Sequence, residues 1–209
     1  MPGILTLIEV ILENFHGEPV PEEQPTKKSG KPGCMGLFID TLETVLLALV
    51  LFLGINAISA RVRVENISMK PTLQPGEFVL INKLAYKIGK PSHGDVIVFH
   101  YPRDPKQDYI KRVIGIPGDT VSVSGGVVSV NNTPLTEPYI SAPPAYPGSW
   151  KVPSDSLFVL GDNRNQSSDS HIWGFVPLSE VVGKGLVIYW PLDSVQILDH
   201  PDIVKAAPR

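Results

Sequence analysis

The chain has 209 residues, 43% of them hydrophobic, with a formal net charge of −3. Lys27, Lys28 and Lys31 stand against seven acidic residues in the first 59, which leaves that part at −4 and the rest at +1; without a basic stripe, charge gives no support to a nucleic-acid role. Cys34 is the only cysteine, which excludes an intrachain disulfide, and the five histidines form no His-x-x-x-His pair, so neither a metal nor another cofactor is expected.

Residues 1–35 begin with Ile4, Leu5, Leu7, Ile8, Val10, Ile11 and Leu12 near helical spacing, interrupted by Glu9 and Glu13. This stretch is too short and too charged to cross a bilayer and suits an interface or a partner helix. A polar linker broken by prolines follows, over 17–33. Residues 36–59 turn apolar, with an unbroken run over 45–55. At ~1.5 Å per residue such a helix covers a ~30 Å hydrocarbon core. Ala57-Ile58-Ser59 has the small-x-small pattern of a cleaved leader, but the long acidic lead favours a permanent anchor.

Beyond residue 60 the signals are those of strands: apolar, β-branched runs at 78–82, 95–99, 109–114, 157–160 and 185–190, bounded by Gly, Pro, Asn or Asp. Residues 120–123 and 127–130 flank Ser124-Gly125-Gly126, a hairpin turn, and only 83–88 reads as a helical turn. Strands without intervening helices predict an all-β domain over 60–209, with a small hairpin insertion at about 120–156.

Three stretches concentrate chemistry. Asn66-Ile67-Ser68-Met69-Lys70-Pro71-Thr72-Leu73 sets a serine just after the apolar segment, and Pro71 biases Lys70 toward an extended backbone. A serine alone is more often a solvated or capping group than a nucleophile. In Tyr109-Ile110-Lys111-Arg112-Val113-Ile114, strand alternation puts Lys111 on a face with Tyr109 and Val113. Burial there would lower its pKa from about 10.4 toward the range of a general base; the alternative is a surface lysine whose stem covers a strand edge. The loop over 161–174 gathers Asp162, Arg164, Ser167 and Asp169, either as a solvated turn or as a shell in which an Asp–Arg pair pins the loop.

Taken in order, Ser68-Met69-Lys70-Pro71-Thr72-Leu73, Gly94-Asp95-Val96-Ile97-Val98-Phe99, Lys111-Arg112-Val113-Ile114-Gly115-Ile116-Pro117-Gly118-Asp119 and Gly161-Asp162-Asn163-Arg164 with Ser167, Asp169 and Ser170 resemble the signature boxes of the type I signal peptidases. The resemblance implies a membrane-bound Ser/Lys endopeptidase whose antiparallel all-β catalytic domain lies on the trans side of a plasma membrane, with a thylakoid membrane as the alternative and the N-terminus cytoplasmic. Its partners would be preprotein signal peptides cut after Ala-x-Ala, the lipid bilayer and the export machinery. Ser68 matches the nucleophile, Lys111 the general base and Ser167 the hydroxyl that bonds the lysine. Asp162, Arg164 and Asp169 match the pairs that shape the site, and Met69, Leu73, Tyr109 and Ile110 match the lining of shallow substrate pockets. Asn66 stands where some members carry an oxyanion-stabilising serine, and its amide could donate there. His171 stands where arginine is common. A self-cleaving repressor-type protease would need a DNA-binding N-terminus, which residues 1–59 do not offer, and a non-cutting binding module would not need Ser68 with Lys111.

Overall fold

The computed structural model describes residues 34–204, so the amphipathic segment and linker expected over 1–33 lie outside the described residues. Helix α1 spans Cys34–Ile58. It starts two residues before the expected anchor and ends one earlier, because Ser59 already belongs to a strand. Apolar side chains from Leu37 to Ile58 stand exposed around it, the pattern of a helix without a protein core to face. Residues Met35–Ile58 are long and apolar enough to cross a membrane.

The chain passes directly from α1 into β1 (Ser59–Arg63). The junction is tied locally, with Lys83 N–H donating to Ile58 O at 3.0 Å and Lys83 Nζ to Asn56 O at 3.1 Å. Strands β2 (Phe78–Asn82), β3 (Val96–Tyr101), β4 (Asp104–Gly115), β9 (Ser156–Leu160), β10 (Val176–Pro177) and β11 (Val181–Trp190) complete an antiparallel sheet in the order β1-β2-β11-β3-β4-β9-β10, with β12 (Gln196–Ile197) pairing β11. Between β2 and β3 lies the short helix α2 (Ala85–Ile88), inside the stretch expected to be helical.

Alternation along the strands feeds separate cores. In β3, Val96 and Val98 pack with Met69, Leu73, Val79 and Ile81, while Ile97 and Phe99 pack with Val113, Leu157 and Val159. Both faces of β3 are therefore covered, which is why it reads as an unbroken apolar run. In β9, Leu157 and Val159 join the core of Ile97 and Phe99, while Phe158 and Leu160 join a third core with Val121, Val128 and Ile203. That third core lies under a second sheet, β7 (Thr133–Pro134), β6 (Val127–Val130), β5 (Thr120–Ser124) and β8 (Gly148–Lys151) in spatial order, within the expected insertion. Its β5–β6 turn uses Gly125 and Gly126 at φ +57° and +79°, where L side chains are strained.

After β11 the chain returns across the domain. Leu198 enters the first core and Ile203 the third, and Val96 N–H donates to His200 Nδ1 at 3.1 Å.

Candidate active site

Ser68 sits in a turn rather than the extended segment that Pro71 suggested. Lys70 N–H donates to Ile67 O at 3.1 Å and Leu73 N–H to Met69 O at 2.9 Å, so local backbone pairing overrides the bias. Met69 and Leu73, four residues apart, are both fully buried in the first core beside Val98 and Ile110. They anchor the turn against β4, with both side chains inside the core. Ile110 is 8% exposed. Tyr109 is half-buried and stacks on Tyr101 with ring centroids 4.4 Å apart.

The turn and β4 bring Ser68 and Lys111 together. Lys111 Nζ donates to Ser68 Oγ at 2.7 Å and to Ile110 O at 3.0 Å, and the two residues are 6% and 2% exposed. Burial pushes the Lys111 pKa from its ordinary 10.5 down to about 8, against the charges of Asp169 and Asp162. The Tyr109 ring centre lies 5.2 Å from the amine.

The loop after β9 closes on the turn from the other side. Asn163 N–H donates to Ser68 O at 3.0 Å, and its Nδ2 donates to Ile67 O. Gly161 makes this approach possible: a Cβ there would lie 2.2 Å from Ser167 Oγ and 2.4 Å from Ser68 O. Asp169 is fully buried; it accepts from Gly161 N–H at 2.9 Å and caps the short helix α3 (Ser170–Trp173). His171, at the position where arginine is common, meets Asp169 Oδ1 through Nδ1 at 2.5 Å and stacks on Tyr146, so the loop keeps an anchor there.

Three expectations change. Ser167 is buried, but its Oγ has no hydrogen-bond partner among the described residues; the Lys111 amine turns to Ser68 and to Ile110 O instead. Asp162 and Arg164 do not pair with each other. Asp162 holds Arg112 through two 2.8 Å bonds and accepts from Thr72 Oγ1, while Arg164 holds Glu137 at 2.9 and 2.6 Å. Asn66 approaches Ser68 with its carbonyl oxygen, not its amide NH2: Oδ1 lies 2.8 Å from Ser68 Oγ and accepts from Ser68 N–H at 3.3 Å.

Sequence reasoning missed Arg112, Glu137, Tyr139 and Thr72. Arg112, between Ile110 and Ile114 on one strand face, carried a usable signal, since a guanidinium on an apolar face demands a carboxylate. Its NH1 rests on Gly94 O and Asp199 O, and its plane lies 4.0 Å from the Tyr139 ring centre. Glu137 and Tyr139 had none, because their partners are distant in sequence.

A groove of about 460 Å³ leads to Lys111 between residues 62–66 and 106–111. Among the described residues both walls are free sheet edges. β1 pairs only with β2, and β4 meets β9 only at Arg112, Val113 and Gly115. Among the described residues no cluster of His, Cys, Asp and Glu could hold a metal ion.

Residues 38–190 match the model of the family described as signal peptidase, peptidase S26. The chain belongs to this signal peptidase family. It is 41% identical over 193 residues to a signal peptidase I of Leptolyngbya laminosa, spanning 88% of this chain and 95% of that protein. It is also 41% identical over 189 residues to a probable signal peptidase I-2 of Synechocystis sp., spanning 87% and 85%. A crystal structure of a signal peptidase I from Enterococcus faecalis V583 is 32% identical, covers 46% of this chain and 97% of that one, and superposes with a TM-score of 0.43. The matched residues run through the apolar helix, the serine turn, β4 and the 161–174 loop to the end of β11.

Proposed function

We propose that this protein is a membrane-bound serine endopeptidase that removes signal peptides from exported preproteins, with Ser68 as nucleophile and Lys111 as general base. The observation that carries the reading is the 2.7 Å contact between two buried side chains from distant parts of the chain, one of them an amine with a pKa of about 8. Desolvation together with a specific partner is the arrangement that tunes a lysine toward general-base work.

In the forward reaction neutral Lys111 takes the Ser68 Oγ proton as Oγ bonds to the scissile carbonyl carbon. The C–N bond then breaks, Lys111 returns the proton to the leaving amine, and water hydrolyses the acyl-enzyme. Asp169, Asp162 with Arg112, and Arg164 with Glu137 hold the two halves of the site in register. Ser167 Oγ, buried beside Gly161 and the Ser68 backbone, is within the same shell.

The groove suits an extended peptide, which would add as a strand between two free backbone edges. Val64 and Ile110, both almost fully buried, leave little depth beside the dyad. This supports small residues at the cleavage site, of the Ala-x-Ala kind. Helix α1 is the anchor in the bilayer, with the N-terminus cytoplasmic and the β domain on the trans side of a plasma membrane; a thylakoid membrane and contact with the export machinery are compatible extensions.

The test is cleavage of a preprotein by the full chain in detergent, comparing wild type with Ser68→Ala and Lys111→Ala. Both variants should fold, and both should fall to the uncatalysed background. The wild-type kcat/KM should rise through an apparent pKa of about 8. Wild-type activity in either variant would remove the dyad.

A further inference from the structure

The contact between Asn66 and Ser68 is directional. An N–H only donates, so the bond from Ser68 N–H fixes the Asn66 amide with its oxygen toward the nucleophile. An asparagine oxygen that accepts from the N–H two residues on forms an Asx turn, which the backbone maintains locally. The same oxygen lies 2.8 Å from Ser68 Oγ and only accepts, so the hydroxyl proton points at Asn66. Lys111 Nζ donates to Ser68 Oγ from the other side. Lys111, Ser68 and Asn66 therefore form one chain of hydrogen bonds running away from the lysine.

Acyl transfer needs the opposite direction at its first bond, with Ser68 Oγ–H donating to a lone pair on Lys111. We propose that Asn66 is the resting acceptor of the Ser68 proton, holding the nucleophile off while Lys111 is protonated and releasing it when the amine is neutral. The proposal rests on the dyad assigned above. A protonated ammonium has no lone pair, so without Asn66 the buried hydroxyl would have no acceptor in that state. By satisfying it, Asn66 stabilises the charged form of Lys111 and raises the pH at which the enzyme switches on. The other groups that act on Lys111 are Asp162 and Asp169 from the loop and the Tyr109 ring on β4. Arg63, Glu65, Lys106 and Asp108 line the groove beyond them. A change at Asn66 alters none of these.

The experiment is the pH profile of kcat/KM on a preprotein, from pH 6 to 10, for wild type, Asn66→Ala and Asn66→Asp in the full chain. Asn66 is exposed, so truncation leaves the core intact, and a thermal melt verifies this. For Asn66→Ala the acid limb should move down by about half to one pH unit, the worth of one hydrogen bond. Asn66→Asp keeps the acceptor and adds negative charge, so its limb should move up. A plateau lowered about 10²–10³-fold in both variants with the limb unmoved would make Asn66 an oxyanion donor and overturn the proposal. An unmoved limb with an unchanged plateau would overturn it as well. If Lys111→Ala stays active, the dyad itself fails, a result that no Asn66 variant can produce.

Discussion

Replacing Lys111 by methionine separates what the lysine does for catalysis from what it does to the fold. The side chain is 2% exposed, and burial lowers its pKa from 10.5 to about 8. Below pH 8 both the folded and the unfolded chain carry the proton, and the fold bears the full cost of a buried charge. Between pH 8 and 10.5 the folded protein gives up the proton while the unfolded chain keeps it, so stability rises with pH; above 10.5 that cost is gone. At about 1.4 kcal/mol per pH unit the cost below pH 8 is about 3 kcal/mol. Methionine removes the charge but forfeits the bonds to Ser68 Oγ and Ile110 O, worth about 1 kcal/mol each. Lys111→Met should therefore be inactive, about 1 kcal/mol more stable than wild type at pH 7 and about 2 kcal/mol less stable above pH 10.5. With about 2–4 °C per kcal/mol for a chain of this size, the difference in Tm should swing by about 6–12 °C across that range. Thermal unfolding of both proteins in detergent from pH 7 to 10.5 measures the swing. A Tm difference that stays flat with pH would refute a lysine whose pKa is lowered by burial.

Two other outcomes are expected. Gly161→Ala would drive a methyl group into Ser167 Oγ and Ser68 O. Displacement of the nucleophile by up to about 1 Å should lower kcat about 10²-fold while the domain still melts cooperatively, and unchanged initial rates would contradict the close packing. In sealed vesicles of native orientation, the β domain should be cut by protease added to the trans side and protected from protease on the cytoplasmic side; the reverse pattern would invert the proposed topology.

The strands that were legible were those buried on one or both faces: β2, β3, β9 and the late part of β11 announce themselves as apolar runs. Strand β1 did not, because Ser59-Ala60-Arg61-Val62-Arg63 follows a long apolar helix without a break and its alternation is only five residues long. The polar first half of β4 was equally silent; its residues are exposed and held mainly by pairing with β3. Among the site residues, Ser68 and Lys111 were legible through ordered motifs, and their 2.7 Å approach fits those motifs. What sequence could not supply was who holds whom. Asp162 chose Arg112 over the nearer Arg164 because β4 and β9 lie side by side in the sheet, a fact of topology rather than of local pattern. The facing of Asn66 depended on the turn at Ser68, which the proline-based expectation of an extended backbone concealed.

The stretch after β11 has almost no pattern, yet the interior leans on it. Asp199 lends its carbonyl to Arg112, His200 takes the Val96 N–H, and Leu198 and Ile203 fill two different cores. A fragment ended at Trp190, the last residue of β11, would keep Ser68, Lys111 and the 161–174 loop but strip an acceptor from the guanidinium that clamps Asp162. Residues 198–203 thus belong to the same interior as Ser68 and Lys111, although nothing in their sequence pattern marks them as part of it.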